Sequence, residues 1–523
     1  MHEPFLNATM VTATQALVAS AVLFFAYHLF RFHSVRSKIA HVPTVGSDNF
    51  LLSFVDVCKA MLFAEDKAVK EGYRKYRGSA FKIRTPYTST GWYVVVSGEQ
   101  MIEELRTASS DVLSFLEGVA ESLQTEYTSG PQSRTSHAQV PVIRGPLTRS
   151  LMTHFSDLKD ELVNACDTFL PDSHDWEVLP SVHETNVHIV CRTSNRIFVG
   201  LPLCRDPEFL ELQEGWTISV VLGSFALLWT PDFLKPVVGP LVSRVKSTTR
   251  KVEAFLRETI LERTRVGAKN GAEWERNQED LISWMIDAAA PESRDVETIT
   301  SRVMLVNFAA IHTISLVLTS VMLELAARRE YHEALREEIE EMISTYGWSK
   351  EATSRMLKLD SFLKESIRVS GMANFGSPRK AMKDFTFSNG ITIPAGYTVT
   401  IAASGIHADP EIYEDPMDFK GFRFYDMNQK DAADQEEASD MEGTRNQSTS
   451  LGPTWWAFGH GRHACPGRSF ALTEVKAILC HLLLNYDLKL PNDATEPPPG
   501  FWFAGQRAPQ PGAKILFRKR MAP

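Results

Sequence analysis

The sequence predicts a mainly helical fold with a minor β-sheet part, preceded by one N-terminal transmembrane helix. Three observations carry that expectation. Val11 to Phe30 contains no Asp, Glu, Lys or Arg. Long stretches between about Leu147 and Tyr346 place apolar residues at helical spacing. Short β-rich runs bounded by Gly and Pro cluster around Phe81–Ile83, Tyr93–Val96 and Phe385–Ile401.

Composition sets the frame for these elements. Of 523 residues, 44% are hydrophobic and 23% charged, which describes an ordinary globular core. A net charge of −9 argues against nucleic acid, which selects basic faces. Six cysteines, at 58, 166, 191, 204, 465 and 480, form no C-x-x-C pair. Scattered thiols of this kind suit a reducing compartment.

Taken in order, residues 1–10 are a short lumenal N-terminus and residues 11–30 the anchor. About 20 helical residues rising ~1.5 Å each cross a bilayer core of ~30 Å. Arg31, Arg36 and Lys38 follow, and only Glu3 is charged ahead of them. That asymmetry places the bulk of the chain in the cytosol. A cleaved signal peptide is the alternative, but the charges lie on its wrong side and no small-x-small site follows. Residues 31–46 are expected to be a linker ending in HVPTVG, and 47–523 the catalytic body. Turns at Asn389–Gly390 and Pro394–Gly396 punctuate the second strand zone. The acidic run 426–450 is expected to be a solvated loop insertion. A helix from Ser469 to Asn485 and a short strand-like tail close the chain.

The segment Phe458 to Arg468 reads FGHGRHACPGR. Two glycines spaced by one residue allow a tight backbone, and Pro466–Gly467 close a second turn around Cys465. A helix follows. A thiolate ahead of a helix N-terminus is stabilised by the amide dipoles, which suits it to an anionic ligand role. Zinc held by His460, His463, Cys465, Cys480 and His481 is a rival reading, but the spacing matches none of the usual zinc pairs. A buried structural Cys is another, and it leaves the surrounding Gly, Arg and aromatic pattern unexplained.

FGHGRHACPG resembles the haem loop of the cytochrome P450 family, F-x-x-G-x-[RH]-x-C-x-G. Glu365 and Arg368, in KESIR, resemble the family's E-x-x-R pair; three apart on a helix, they share a face and can hydrogen-bond as a fork. Arg423, in DPMDFKGFRF, resembles the third member of that buried network. NFAAIHTISLV, in a helix expected near Thr298–Arg328, resembles the distal helix over the iron. There Ala309 and Ala310 leave room for dioxygen, and Thr313 matches the family's proton-relaying Thr. His312 departs from the usual Asp or Glu, as in an A-A-I-H-T variant familiar among fungal secondary-metabolism enzymes. A neutral imidazole near its ordinary pKa of about 6.5 can both accept and donate, so a proton-relay role is the expectation set against a packing role.

The resemblance covers about His41 to the end and implies a P450-like helical fold binding haem b, the iron-protoporphyrin IX heme. Cys465 is then the metal ligand, with Phe458, Gly459 and Gly467 shaping its loop. His463, Arg379 and Arg144 are implied propionate contacts, although Val140 stands where the family usually has Trp. The implied activity is a haem-thiolate monooxygenase, with electrons from NADPH through NADPH–cytochrome P450 reductase, for no flavin or nicotinamide motif appears in the chain. Arg462, Arg468 and Lys476 are a candidate basic docking face for that partner. Substrate regions implied by the family are largely apolar here, so a lipophilic substrate, a terpenoid or similar secondary metabolite, is expected, with Asn374 and Phe501 as candidate contacts. The Phe225–Val242 stretch is a candidate for dipping into membrane lipid, and the expected location is the endoplasmic reticulum membrane. A haem-thiolate isomerase or dehydratase acting on peroxides, and a haem-based sensor or carrier, are the competing functions. Thr313 beside a small Ala pair favours the monooxygenase.

Overall fold

The apolar stretch near the N-terminus lies in one helix, α1 (Glu3–Lys38). The computed structural model describes residues 3–59, 65–130, 138–270, 280–371, 374–433, 446–503 and 505–521. Val18, Val22, Leu23, Phe24, Phe25 and Phe30 are all exposed, the pattern of a helix whose solvent is lipid. It is a candidate single membrane anchor. The expected linker 31–46 is corrected: it is helical as far as Lys38, because no Pro or Gly intervenes before Pro43. Phe32 is buried against Phe50 and Trp92, at ring separations of 5.3 and 5.9 Å. The Tyr397 hydroxyl donates to the Val35 carbonyl at 2.6 Å, which fastens this end of α1 to the body. Helix α2 (Phe50–Lys59) follows.

A five-stranded sheet forms one side of the body. Its strands are β1 (Ala80–Arg84), β2 (Trp92–Val96), β3 (Leu113–Ser114), β4 (Gly376–Ala381) and β5 (Thr398–Ile401), in the order β1-β2-β5-β4-β3. Only β2 and β5 pair in parallel, with Tyr93 opposite Thr398. Strand β2, WYVVV, is buried along its whole length, which is why it reads as a continuous apolar run. The register of β4 slips between Gly376 and Arg379. Pro378 has no N–H for the ladder, and the irregularity it causes re-aims the side chain after it.

The helical part comprises α3 (Phe115–Leu123), α4 (Val182–Phe198), α5 (Pro207–Leu228), α6 (Lys235–Val242), α7 (Val296–Ala327), α8 (Leu357–Ser370), α9 (Arg423–Ala433) and α10 (Arg468–Asn485), with further helices between them. Helix α7 runs through the core and is capped by Asp295, whose carboxylate accepts from the Thr298 amide at 2.9 Å. It is apolar enough to span a membrane but is mostly buried inside the protein, as a core helix is. Polar pairs seam it to α4: Asn195 donates to Asn307 at 2.9 Å and Asn186 to Thr319 at 3.0 Å.

The acidic run 426–450 is not all loop. Its first residues continue α9, which no Gly or Pro interrupts and which Arg423 and the buried Phe424 hold in place. At its far end Ser448 donates through its amide and hydroxyl to Asp360, at 2.7 and 2.6 Å. Residues 434–445 lie outside the described residues.

One core carboxyl has a stability consequence. Glu474 on α10 is fully buried, and the Ser194 hydroxyl donates to it, at 2.9 and 3.0 Å from its two oxygens. Burial pushes its pKa up to about 8. The folded state therefore keeps a proton that the unfolded chain loses above pH ~4.5, so this group's contribution worsens as pH rises from there to about 8. At pH 7 the penalty is on the order of 3 kcal/mol. Glu474→Gln is expected to melt higher than the wild type, with a gap that widens between pH 6 and 8 and closes in acid. Parallel melting profiles across that range would contradict a protonated Glu474.

Candidate active site

The loop before α10 is shaped by two glycines. Gly459 and Gly461 have φ of +67° and +70°, the left-handed region that glycine tolerates. At Gly461 a Cβ would also stand 2.8 Å from the Arg106 side chain. The Cys465 amide donates to the Phe458 carbonyl at 2.8 Å, which closes the loop and presents the thiol. Gly467 caps α10 directly after it. Burial pushes the Cys465 thiol up, while the amides of Gly467 and Arg468 and the charges of Arg468 and Arg144 oppose this. The helix-terminus stabilisation expected from sequence is present, but burial outweighs it.

Cys465 lines a cavity of about 400 Å³. Ala309, Thr313, Ile314 and Val317 of α7 line it too, together with Phe458, Gly459 and His463 of the cysteine loop. Phe115 on α3 lies against both His463, at 5.4 Å, and the Arg379 guanidinium, at 5.7 Å. Arg379 is 1% exposed, yet its Nε and Nη1 have no hydrogen-bond partner among the described residues. Burial and the nearby Arg462 lower its pKa to about 10. A buried guanidinium with unused donors is costly unless an anion meets it, and carboxylates match its fork. A largely apolar cavity lined by a thiol, with such an arginine packed on its Phe115 wall, fits a haem bearing propionates.

The other expected site residues are placed unequally. Thr313 faces the cavity, its hydroxyl donating to the Ala309 carbonyl at 2.6 Å. Ala310 is half-buried and packs toward the core. His312 is not among the cavity-lining residues; it bonds the Glu214 carbonyl of α5 at 3.1 Å. Arg144 is exposed on the surface and donates to the Arg462 carbonyl at 2.7 Å. Asn374 is wholly buried, its side-chain oxygen accepting from the Ser404 hydroxyl. Phe501 is exposed in the hairpin 501–508, whose Gln506 lines the cavity instead.

The expected docking trio requires correction. Lys476 is buried and paired with Asp360 at 2.5 Å, and Arg468 turns inward to the Cys465 and Thr449 carbonyls. Arg462 alone of the three is exposed.

Glu365, Arg368 and Arg423 are brought together, the one carboxylate shared by two guanidinium groups whose other donors meet backbone carbonyls. Arg368 donates to both Glu365 oxygens at 2.8 Å, and Arg423 Nε lies 3.0 and 3.1 Å from the same two atoms. Arg368 also donates to the carbonyls of His407 and Pro416, each at 2.7 Å, and Arg423 to those of Asp415 and Asp418, at 3.2 and 2.9 Å. His407 was not anticipated from sequence. It is buried, and its Nε2 accepts from the Trp456 amide at 3.1 Å, joining the network to the start of the cysteine loop. Burial, with Arg368 and Lys364 beside it, depresses its pKa to about 3, so the ring stays neutral and can accept. Nothing local in GIHADP signals this, because both partners come from other segments.

A helical fold with this cysteine and arginine across one slot defines a haem-thiolate protein. The chain belongs to the cytochrome P450 family, whose model matches residues 60–517, and it is a monooxygenase. It is 39% identical to cytochrome P450 monooxygenase 151 of Postia placenta, over 96% of this chain and 97% of that one. To monooxygenase 103 of the same fungus it is 36% identical, over 98% and 99% of the two chains. To cytochrome P450 monooxygenase paxQ of Penicillium paxilli the figure is 31%, over 92% of each. Family membership implies haem, dioxygen, a substrate and a redox partner.

Proposed function

We propose that this enzyme, with haem b held by Cys465, inserts one oxygen atom into a lipophilic small molecule, a terpenoid or similar secondary metabolite, using NADPH electrons passed through NADPH–cytochrome P450 reductase. The observation that carries the reading is the Cys465 thiol sharing one largely apolar cavity with Ala309 and Thr313. When bound, the haem supplies dioxygen activation, and a thiolate ligand favours O–O cleavage. Arg379 and His463 would hold the propionates, with Arg144 as a third basic group for them. Ala309 leaves space on the distal side, and the Thr313 hydroxyl, free to rotate from the Ala309 carbonyl, orients water and moves protons.

The lining side chains Phe115, Ile314, Val317 and Phe375 support a lipophilic substrate. Entry from lipid is supported by an exposed apolar surface: Leu51, Leu52 and Phe54 on α2, Trp229 and Phe233 after α5, and Val237 and Leu241 on α6. Phe54 and Trp229 meet edge to face at 5.7 Å, so the two elements form one surface. It would sit on the cytosolic leaflet of the endoplasmic reticulum beside the anchor. Exposed Arg462 is the basic group left for the reductase.

Full-length protein in microsomes, with and without reductase, tests the whole. A thiolate-type reduced carbon-monoxide spectrum and oxidised products dependent on both NADPH and dioxygen are expected. Products that form without either would replace this reading by the peroxide isomerase.

A further inference from the structure

His312 is the residue at which the chain departs from its family's usual acid, and its surroundings define its role. Its Nε2 lies 3.1 Å from the Glu214 carbonyl on α5. A carbonyl can only accept, so Nε2 carries the proton and the tautomer is set. Burial depresses the pKa of the ring, outweighing the opposing influence of Glu214, and His183 of α4 stands near enough for the two imidazoles to oppose each other's charging. The ring is therefore neutral near pH 7, with Nδ1 as its one remaining nitrogen.

A relay must take a proton at one nitrogen and release it at the other. Here the outer nitrogen ends on a peptide oxygen, which is not a group that hands protons on at neutral pH. The same contact is well built as a tie. Glu214, whose carbonyl receives His312, has its carboxylate 3.0 Å from His188 Nδ1 on α4. One residue of α5 is thus gripped from α7 through its backbone and from α4 through its side chain. The adjacent α5 residue Gln213 is wholly buried, and neither of its amide atoms has a partner among the described residues.

We infer that His312 is a positioning residue, a hydrogen-bond donor that fastens α5 to α7 over the oxygen-activating segment, and that Thr313 moves protons without it. The inference rests on the haem-thiolate reading above and deepens it. Two substitutions separate the roles. Gln can donate an N–H to the Glu214 carbonyl but carries no proton near neutral pH; Asp, the acid usual in the family, can relay but at neutral pH has no donor. Full-length His312→Gln, His312→Asp and His312→Ala proteins are compared by hydrogen exchange of the 207–228 segment and by peroxide released per NADPH consumed with added reductase. Ala and Asp are expected to speed exchange around Glu214 by roughly tenfold, the loss of one buried hydrogen bond, and Gln to restore wild-type exchange and peroxide yield. A wild-type peroxide yield in the Asp protein with a raised yield in the Gln protein, or unchanged exchange in the Ala protein, overturns the inference. The reduced carbon-monoxide spectrum of each protein keeps the outcomes distinct, since its absence in the wild type would remove the haem reading rather than this one.

Discussion

Cys465→Ala is expected to leave a chain that folds around its helices but holds little haem. The thiol is the side chain that we propose ligates the haem iron; it lines the cavity, and its loop is held by the Cys465 amide rather than by the side chain. Removing the sulfur therefore spares the loop and deletes the ligand. Haem occupancy should fall by at least about tenfold in affinity, equal to ~1.4 kcal/mol, and the reduced carbon-monoxide spectrum should lose its thiolate signature. Pyridine haemochrome content on purified protein measures the first and difference spectroscopy the second. A Cys465→Ala protein fully loaded with haem and active would remove the assignment. His460 and His463 also lie in the loop; a histidine substituting as ligand would give a carbonyl spectrum unlike that of a thiolate.

Glu365→Ala is expected to be the most damaging change to folding. Its carboxylate is wholly buried and faces two arginines that are themselves 4% and 6% exposed, so its loss strands two cations without water. Breaking such a buried pair costs ~3–5 kcal/mol, against a total stability of ~5–15 kcal/mol for a typical domain. The damage would spread, because Arg368 also holds the His407 carbonyl and His407 receives the Trp456 amide at the base of the cysteine loop. Aggregated, haem-poor protein is the expected outcome, scored by soluble yield and carbon-monoxide spectrum. Stable holoenzyme with altered product ratios would instead place Glu365 in substrate handling. His407→Ala separates the two functions of the network: it should leave the Glu365 pairing intact, yet loosen haem retention by freeing the Trp456 amide.

Several features are set by residues close together in the chain. The apolar run before Arg31 specifies a helix, since twenty residues without a charge have no other way to satisfy their backbone in lipid. Gly459 and Gly461 mark the tight loop before Cys465 because their left-handed backbone favours glycine. Glu365 and Arg368 share a face through helical spacing alone. Local periodicity and turn chemistry carry all of these.

Other features depend on which element packs across from which. Lys476 looked like a surface cation, but Asp360 from another helix draws it into the core. Where the end of α1 docks on the body depends on Phe32 meeting Phe50 and Trp92. His312 looked like a proton carrier in its own helix, and its bond to α5, 98 residues earlier, is what settles its tautomer. His407 gains its role from Arg368 and Trp456, 39 and 49 residues away. Burial and pairing are properties of two surfaces meeting, so no pattern within one segment can report them: spacing and turn residues specify the helices and the cysteine loop, while packing between segments sets which polar groups are free to do chemistry.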